Sequence, residues 1–406
     1  MPNIAIIGSR GYPSYYGGFE TLVRRLAPYL VDAGWDVTVY GRPGIKTDDP
    51  GRDPRVMTKT TRGVESKSLS TLSYSFTSVV DAAAAKPDVA LLLNCATGYW
   101  LPMLKARGIP TLVNVDGLEW ERAKWNRMGK TVFKTGAKMT AAWADRLVFD
   151  AKEIGRRWHE DFHRDGVFIP YGGTPAGEQL PVEPGLEHGK YALLVARFVE
   201  ENTISPFVEA AHALSERMDV VFVGSSGYGG DVEASVARLA AENPRVHWFG
   251  HVKDDRRLAA LWQHAGAYFH GHSVGGTNPA LVQAMALGAP IVARDTVYNR
   301  EVLHGSGLMV PPEAGAIARA VEGLVNSPDL QAQLGWGAQA RANDVYTWDK
   351  VCGAYELELR ALLKPVAVRV PLALPVPAAA SPRPARMGVG SPAAAGAAAR
   401  HAVGAK

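Results

Sequence analysis

The chain has few of the features that would tie it to a disulfide framework or to a membrane span. Its 406 residues contain two cysteines, Cys95 and Cys352, far apart and among apolar neighbours. This pattern predicts neither a disulfide nor a metal site and is typical of a reducing cytoplasm. No apolar run reaches the ~18–20 residues that cross a bilayer. The N-terminus enters an apolar strand without the basic segment of a signal peptide.

The body of the chain also has almost no net charge. The net charge is +4, but residues 365–406 hold five basic residues and no acid, which leaves residues 1–364 at about −1. This balance excludes nucleic acid as an expected partner. The segment 365–406 is rich in alanine and proline and has little to bury, so we predict that it is disordered.

Two signatures of bound cofactors are missing. The chain has no Asp-x-Asp pair, and His270 and His272 have no third ligand nearby in the sequence, so we expect no metal. The loop Gly8-Ser-Arg-Gly11 lacks the Gly-x-Gly-x-x-Gly spacing of a dinucleotide fold, which disfavours a nicotinamide cofactor. We therefore predict no cofactor.

Short apolar runs that alternate with helical periodicity occur on both sides of a Pro/Gly-rich segment, 173–190. This repeated β-α-β pattern predicts an α/β protein with parallel, doubly wound sheets. Predicted strands are 3–8, 36–40, 89–94, 111–115, 146–149, 191–196, 220–224, 246–249, 267–270 and 291–293. Phe19 to Leu30 have helical spacing, but Pro28 predicts a kink or an irregular second half.

The domain boundaries follow from the same pattern. We assign residues 1–172 to a first domain, 173–190 to a linker, and 191–345 to a second domain. A helix over 346–364, with an apolar stripe that includes Trp348 and Tyr355, is the last ordered element that we expect. Two such domains would form a ligand site in the crevice between them, at the carboxyl ends of their strands.

The run His272-Ser-Val-Gly-Gly-Thr-Asn-Pro-Ala-Leu-Val-Gln-Ala-Met-Ala-Leu-Gly-Ala-Pro-Ile-Val-Ala293 is the most informative stretch. It reads as a glycine-rich turn, a helix and a buried strand. A helix that begins after glycines presents unpaired N–H groups and the positive end of its dipole to an anion. The alternative interpretation is an ordinary loop, helix and strand of an α/β domain.

Several motifs appear in a fixed order along residues 1–364. They are Ile4-Ala-Ile-Ile-Gly-Ser-Arg-Gly-Tyr-Pro-Ser-Tyr-Tyr-Gly-Gly-Phe-Glu20, Val115-Asp-Gly-Leu-Glu-Trp-Glu-Arg-Ala-Lys-Trp125, Val195-Ala-Arg-Phe-Val-Glu-Glu-Asn202, His270 to Pro279, Asn299-Arg-Glu-Val302 and Tyr346-Thr-Trp-Asp-Lys-Val351. In this order the chain resembles the family-4 retaining glycosyltransferases of the GT-B fold, and more narrowly their bacterial rhamnosyltransferase-like branch. The resemblance implies two Rossmann-like domains facing a central crevice, a last helix that crosses back to the first domain, and a nucleotide-sugar donor held mainly by the second.

The resemblance also assigns donor contacts. Arg197 matches the arginine that holds the donor diphosphate, so we count it as both catalytic and donor-binding. Asn202 stands where the family usually has a lysine, and we count it among the residues that bind the donor phosphate. Because the cation is missing, the amides around Gly276, Thr277 and Asn278 would carry more of the phosphate charge. Gly17 and Gly18 allow a donor phosphate or sugar to approach the backbone, or they form only a tight turn.

Two glutamates that the wider family carries in the 272–293 run are replaced here by Gly275 and Gln283. The second of these glutamates usually holds ribose hydroxyls. A neutral Gln283 would hold them less strongly, which suits the deoxyribose of a dTDP donor and is consistent with dTDP-rhamnose. The alternative is that these positions have drifted in a protein that no longer catalyses the reaction.

Asp116, Glu119 and Trp120 are the acceptor-side candidates. Asp116 follows a predicted strand and would accept the acceptor's proton or orient sugar hydroxyls; alternatively it caps the next helix. Glu119 would line the acceptor site and Trp120 would stack on a sugar. Retaining enzymes of this type are thought to use an oxygen of the leaving phosphate as base, so that no side-chain base is needed.

Lys130, Lys134 and Lys138 share one helical face, with Lys124 and Arg127 before them. Such a face is either simply solvated or rests on an anionic membrane surface. The second interpretation suits the lipid-linked acceptors that are common in the resembled family.

The sequence thus predicts a cytoplasmic retaining glycosyltransferase, with peripheral contact at the inner face of the membrane as one interpretation. It would move a sugar, best matched by rhamnose from dTDP-rhamnose, to a glycan or lipid-linked acceptor in surface polysaccharide synthesis. A catalytically degenerate nucleotide-sugar-binding scaffold and, less favoured, a nucleotide-sugar epimerase are the alternatives. The epimerase would need a pair of acids in the crevice, which the sequence does not reveal.

Overall fold

A computed structural model describes residues 1–15, 17–44, 49–65, 70–122, 125–175, 177–227 and 229–363. The predicted disorder of 365–406 and the basic residue Lys124 lie outside these ranges. Within them, two parallel sheets follow one another along the chain.

The first sheet has the strand order β3-β2-β1-β4-β5-β6-β7. Its strands are β1 Asn3–Ile7, β2 Asp36–Gly41, β3 Met57–Thr60, β4 Val89–Leu93, β5 Thr111–Asn114, β6 Arg146–Phe149 and β7 Val167–Phe168. The helices between them are α1 Gly18–Asp32, α2 Ser70–Ala85, α3 Leu101–Ala106, α4 Arg127–Trp143 and α5 Lys152–Phe162, with 3₁₀ turns at Cys95–Trp100 and Glu119–Glu121. Every strand pairs with its neighbours in parallel.

The second sheet has the order β10-β9-β8-β11-β12-β13, again parallel. Its strands are β8 Tyr191–Val195, β9 Asp219–Val223, β10 Val246–Trp248, β11 Ala267–His270, β12 Ile291–Arg294 and β13 Leu308–Val310. Its helices are α6 Ile204–Leu214, α7 Asp231–Glu242, α8 Asp255–His264, α9 Pro279–Ala286, α10 Val297–Leu303, α11 Ala314–Val325 and α12 Pro328–Val345, with a 3₁₀ turn at Glu200–Asn202. The last helix is α13 Trp348–Leu362.

Both sheets are covered by helices on both faces, which explains why their strands read as continuous apolar runs. All five residues of β4 are buried, and apolar clusters lie on each side of each sheet. The apolar stripe of α13 joins the cluster of α1 and β1 through Val351, Tyr355 and Leu359. The prediction of two Rossmann-like, doubly wound sheets is therefore confirmed.

The helix α1 departs from expectation at Pro28. The helix is continuous from Gly18 to Asp32 although the proline lies inside it. Leu22, Val23 and Leu26 are fully buried on its inner face. Apolar packing thus holds the helix together through the missing hydrogen bond, and the predicted irregular second half was wrong.

Each sheet reverses its strand order at one point, between β1 and β4 in the first and between β8 and β11 in the second. Loops at the carboxyl ends of the strands on either side of such a point form a natural ligand crevice. In the first sheet they lie near Gly8, Asn94 and Asp116, and in the second near Arg197 and His272.

Candidate active site

On the first sheet the site is built by two strained residues at the ends of adjacent strands. Asn94 follows β4 with φ of 80°, and Asp116 follows β5 with φ of 65°. Nδ2 of Asn94 donates to Oδ2 of Asp116 at 3.2 Å, and the Asp116 N–H donates to Oδ1 of Asn114 at 3.0 Å. Non-glycine residues in this conformation persist where the surroundings fix them, and they cluster at functional sites.

The environment of Asp116 alters its protonation. Burial, followed by the charge of Glu119, raises the pKa of its carboxyl to about 6, against the opposing effect of Arg122. The carboxyl is therefore poised near neutrality, as an acid–base or orienting group requires. Leu118 precedes the 3₁₀ turn Glu119–Glu121 in the capping position, so the alternative of Asp116 as a helix cap is wrong.

The two acceptor-side predictions next to Asp116 are not supported. Glu119 is buried and bonded to the Arg122 guanidinium and, at 3.1 Å, to the indole N–H of Trp125. Trp120 is 6% exposed and packs edge-on against Trp158 and Phe162. A ring this large stabilises the core by being buried. Its face is thus not available to stack on an acceptor sugar, and the Glu119 carboxylate is already occupied.

Gly17 and Gly18 begin α1 beside a buried carboxylate. The Arg10 N–H donates to Oε1 of Glu20 at 3.0 Å. A Cβ at Gly18 would lie 3.0 Å from Oη of Tyr171, and one at Gly17 would lie 2.9 Å from Oε2 of Glu20. Close packing therefore accounts for the absence of side chains at both glycines. A donor contact through their backbone stays a prediction.

On the second sheet, Arg197 follows β8 and is exposed. Its guanidinium makes no hydrogen bond or ion pair within the part of the chain that the structure describes. Nδ2 of the buried Asn202 donates to the Arg197 carbonyl at 2.8 Å. Asn202 therefore fixes the loop that carries Arg197, and its amide is not directed at a donor phosphate as we had expected.

His270 and His272 form a stacked pair at the end of β11, with ring centroids 4.4 Å apart and planes at 10°. Burial lowers the pKa of both, and the charges of Arg197 and Arg122 help to lower that of His272 to about 3. Both imidazoles are therefore neutral. Nε2 of His270 and Nδ1 of His272 are buried without a hydrogen-bond partner in the described residues.

The glycine-rich loop before α9 closes against the first sheet. The Thr277 hydroxyl and its N–H, the latter at 3.2 Å, both donate to the Asp150 carbonyl. The Asn278 side chain accepts from the Ala280 N–H at 2.9 Å and caps α9. The Thr277 amide, predicted to hold phosphate, is thus engaged across the crevice. The contact of Gly276 and Asn278 with a donor stays a prediction.

Gln283 has a different role from the one that we predicted. Its Oε1 accepts from the Thr174 N–H at 3.0 Å, and its Nε2 donates to the Thr174 carbonyl at 2.8 Å. Both ends of the amide therefore bind the segment that joins the two sheets. A ribose contact would require one of these bonds to break.

Asp150 is the residue that sequence reasoning missed. It follows β6, as Asp116 follows β5, so its position at the carboxyl end of a strand was the available signal. It is 3% exposed, and its Oδ1 has no hydrogen-bond partner within the described ranges. Burial and then the charge of Asp116 raise its pKa well above the usual range.

Two further pairs cross the crevice. Nε of Arg122 lies 3.6 Å from Oε2 of Glu201. Glu301 accepts from the backbone N–H groups of Lys152 and Glu153 at the start of α5. The motif that contains Glu301 was recognised in the sequence, but its function as a cap on the other sheet's helix follows only from the structure.

The described residues contain no group of three or more His, Cys, Asp or Glu side chains placed to hold a metal ion. None of the helices that the structure describes combines the length and the apolar character of a membrane span.

Comparison with known proteins shows the family. A model described as "Glycosyl transferase 4-like domain" matches residues 17–172, and one described as "Glycosyl transferases group 1" matches residues 189–327. A phosphatidyl-myo-inositol mannosyltransferase from Mycobacterium leprae is 29% identical over 222 residues, which cover 52% of this chain and 58% of the relative. The chain thus aligns with little more than half of that protein.

Solved structures show the same fold. Sucrose-phosphate synthase from Thermosynechococcus elongatus superposes with a TM-score of 0.71 and 20% identity, covering 89% of this chain and 99% of the other. Anabaena HepE in complex with UDP-glucose superposes with a TM-score of 0.68 and 14% identity, covering 89% and 100%.

The two family models together span most of the chain, one on each sheet. The chain belongs to the family-4 glycosyltransferases, and the solved structures show that it has the GT-B fold.

Proposed function

We propose that this protein is a retaining glycosyltransferase that transfers rhamnose from dTDP-rhamnose to a glycan or lipid-linked acceptor in surface polysaccharide synthesis. The observation that carries the proposal is that groups of unlike chemistry stand at the carboxyl ends of the two sheets. Arg197, exposed and without a partner in the described chain, is a cation for a diphosphate. Asp116 presents a carboxyl with a raised pKa from the other side.

In the proposed reaction, the bond between the anomeric carbon and the donor phosphate breaks, and a bond to the acceptor oxygen forms on the same face. The acceptor proton passes to an oxygen of the leaving diphosphate. Arg197 stabilises the negative charge that develops there. Asp116 orients the acceptor hydroxyl and stabilises positive charge on the sugar. We expect no metal to be needed, because the guanidinium supplies the positive charge.

The dTDP preference has a basis in Gln283. Its amide is neutral and is bonded to Thr174, so the site offers no carboxylate at this position to a ribose 2′-hydroxyl. A deoxyribose loses nothing there. A UDP donor is the alternative outcome, since HepE was crystallised with UDP-glucose, and a GDP donor is another.

Two observations support the proposed acceptor class: the exposed side chains of α4 and the name of one relative. The helix presents Arg127, Lys134 and Lys138 to solvent together with Met128 and Trp143, which are 74% and 41% exposed. Cations beside exposed apolar side chains suit an anionic membrane surface. The mannosyltransferase relative is named for a lipid acceptor. We therefore place the protein in the cytoplasm, in peripheral contact with the inner face of the membrane.

A non-catalytic scaffold is the second candidate. Asn202 and Gln283, at positions where the wider family has charged side chains, are both used to hold the protein's own backbone. An epimerase is the third candidate, and the interaction between the buried acids Asp116 and Asp150 is the feature in its favour. Product analysis separates these functions from transfer.

The test is a thermal-shift screen against dTDP, UDP, GDP and ADP, with and without magnesium, followed by turnover of the matching sugar nucleotide. A ligand at 100 Kd stabilises the folded state by about 2.7 kcal/mol. We expect a dTDP shift that is independent of magnesium, and its loss in Arg197→Ala. Arg217→Ala is the control, because Arg217 pairs with Glu322 and precedes β9, so that it lies at the amino ends of the strands while Arg197 lies at their carboxyl ends. Binding without turnover supports the scaffold, and donor isomerisation without acceptor supports the epimerase.

A further inference from the structure

One carboxyl oxygen of Asp150 is buried without a hydrogen-bond partner among the described residues. Asp150 directly follows β6, the neighbour of β5, which precedes Asp116. The residue is 3% exposed, and no described side chain or backbone group donates to its Oδ1. Buried polar atoms in native proteins nearly always have a partner, so an exception calls for an explanation.

The backbone of Asp150 is fixed by the loop that precedes α9. The Thr277 N–H and hydroxyl both donate to the Asp150 carbonyl. The second sheet, which binds the donor in the proposed reaction, therefore holds the backbone of Asp150 across the crevice.

The side chain faces the same loop. A Cβ added at Gly276 would overlap Oδ1 of Asp150. Next to it, Gly275 has φ of 93° and also brings no side chain. The loop thus supplies no carboxylate of its own at this point, and the first sheet supplies one.

A carboxyl group with an unpartnered oxygen in this position selects its ligand. It offers a hydrogen-bond acceptor and no positive charge, so it suits the hydroxyl groups of a neutral sugar rather than a phosphate. We propose that Oδ1 of Asp150 accepts a hydrogen bond from a hydroxyl of the donor sugar, so that the N-terminal sheet takes part in recognising the donor. This inference rests on the proposed function, since it requires a nucleotide-sugar donor in the crevice.

The experiment compares binding of dTDP with binding of dTDP-rhamnose, and of UDP with UDP-glucose, by isothermal titration without acceptor. The proteins are the wild type, Asp150→Ala and Asp150→Asn, with Asp165→Asn as an exposed control. We expect Asp150→Ala to weaken binding of the sugar nucleotide by about tenfold or more while the bare nucleotide binds within about twofold of wild type. Asp150→Asn, which keeps an acceptor oxygen, should show a smaller loss.

Equal weakening of nucleotide and sugar nucleotide would overturn the inference, and so would unchanged binding of both. These outcomes are distinct from failure of the proposed function, in which the wild-type protein itself would bind none of the four compounds.

Stability gives a second readout. A carboxyl group whose pKa is raised by burial destabilises the folded protein at neutral pH, where the unfolded chain would ionise it freely. Asp150→Asn should therefore raise the melting temperature while it weakens sugar-nucleotide binding. A lower melting temperature with unchanged binding would assign Asp150 a purely structural role and refute the proposal.

Discussion

The side-chain amide of Asn114 donates a 2.6 Å hydrogen bond to the hydroxyl of Tyr355, a residue 241 positions later in the chain. The same Asn114 accepts the N–H of Asp116 at 3.0 Å. Tyr355 lies on α13 and is buried against the first sheet. The last helix therefore supports the loop that holds the candidate catalytic carboxyl.

Replacing Tyr355 by Phe should disturb this support. The variant leaves a buried amide N–H of Asn114 without its acceptor, which costs about 1–3 kcal/mol. We expect a lower free energy of unfolding in denaturant titration and a reduced kcat. Tyr29→Phe is the matched control, because Tyr29 also lies between α1 and α13 but is less buried. If Tyr355→Phe behaves like Tyr29→Phe, the bond to Asn114 has no energetic importance.

Asp116 predicts how activity depends on pH. Its pKa of about 6 means that the carboxylate forms as pH rises through 6, so kcat/KM should rise with pH and level off above pH 7. Asp116→Asn should lower turnover by roughly 10²-fold or more and abolish this rise. An unchanged pH profile in that variant would exclude Asp116 as the group that titrates.

The same pKa shift makes the stability of the fold decrease as pH rises, whereas activity increases. A carboxyl whose pKa is raised on folding stabilises the protein below its unfolded pKa of about 3.9, and this contribution is lost as pH rises through about 6. Asp116→Asn should therefore melt above wild type at pH 7 but not at pH 4. Thermal unfolding at the two pH values checks this.

The fold could be predicted from the sequence because its signals are local. Apolar runs such as 89–94 and 191–196 are buried on both faces in β4 and β8, and the glycine-rich turns between strands and helices fall where expected. β3, β7 and β13 are edge strands of four residues or fewer. β3 is largely polar, and the apolar runs of β7 and β13 were too short to recognise.

The site was predicted less well, because its contacts join distant parts of the chain. Arg197 and Asp116 each follow a strand at the carboxyl end of a sheet, and their roles stay predictions. Asn202 and Gln283 were placed there by resemblance, but each one bonds to backbone that the sequence could not bring next to it. Tryptophan is a residue type that stacks on sugars, which is why Trp120 was predicted to do so. Only its tertiary packing against Trp158 shows that it belongs to the core.

Gly276 should tolerate no side chain. A Cβ there would overlap the Asp150 carboxyl group. Gly276→Ala must therefore displace either the glycine-rich loop before α9 or the Asp150 side chain, and the two sheets could no longer approach each other at this point. We expect kcat/KM to fall by about tenfold or more, since small displacements at a reacting centre are costly.

The control for this variant is Gly323→Ala, in α11, where a Cβ would meet nothing within 4 Å. It should stabilise the helix by about 1 kcal/mol and leave turnover unchanged. Full activity in Gly276→Ala would show that the loop and Asp150 do not need to meet during catalysis.

Gln283→Glu should alter nucleotide preference. The variant loses the N–H that now binds the Thr174 carbonyl at 2.8 Å, and its carboxylate is repelled by that oxygen. We expect a loss of stability of about 1 kcal/mol and tighter binding of UDP relative to dTDP, since the released carboxylate would reach a ribose hydroxyl. Competition titration with the two nucleotides measures the ratio.

Gln339→Glu is the control for that substitution. Nε2 of Gln339 donates to the Ala286 carbonyl at 3.3 Å, at the far end of α9. It should lose stability in the same way without a change in the ratio of UDP to dTDP affinity. If the ratio of UDP to dTDP affinity changed in both variants, the cause would be a disturbance of α9 and not the carboxylate at position 283.

The basic face of α4 predicts salt-sensitive membrane binding. Lys134 and Lys138 are exposed on a helix that contains no acidic residue, and Met128 is exposed in its first turn. Each cation near an anionic leaflet contributes about 1 kcal/mol, so Lys134→Gln/Lys138→Gln should weaken binding to vesicles that contain phosphatidylserine by about 30-fold at low salt. Arg217→Gln/Arg238→Gln removes the same charge from the turn before β9 and from α7, and this variant should bind like wild type. Co-sedimentation with anionic and with zwitterionic vesicles measures both. Equal recovery of wild type and the lysine variant with anionic vesicles would leave α4 as a solvated face.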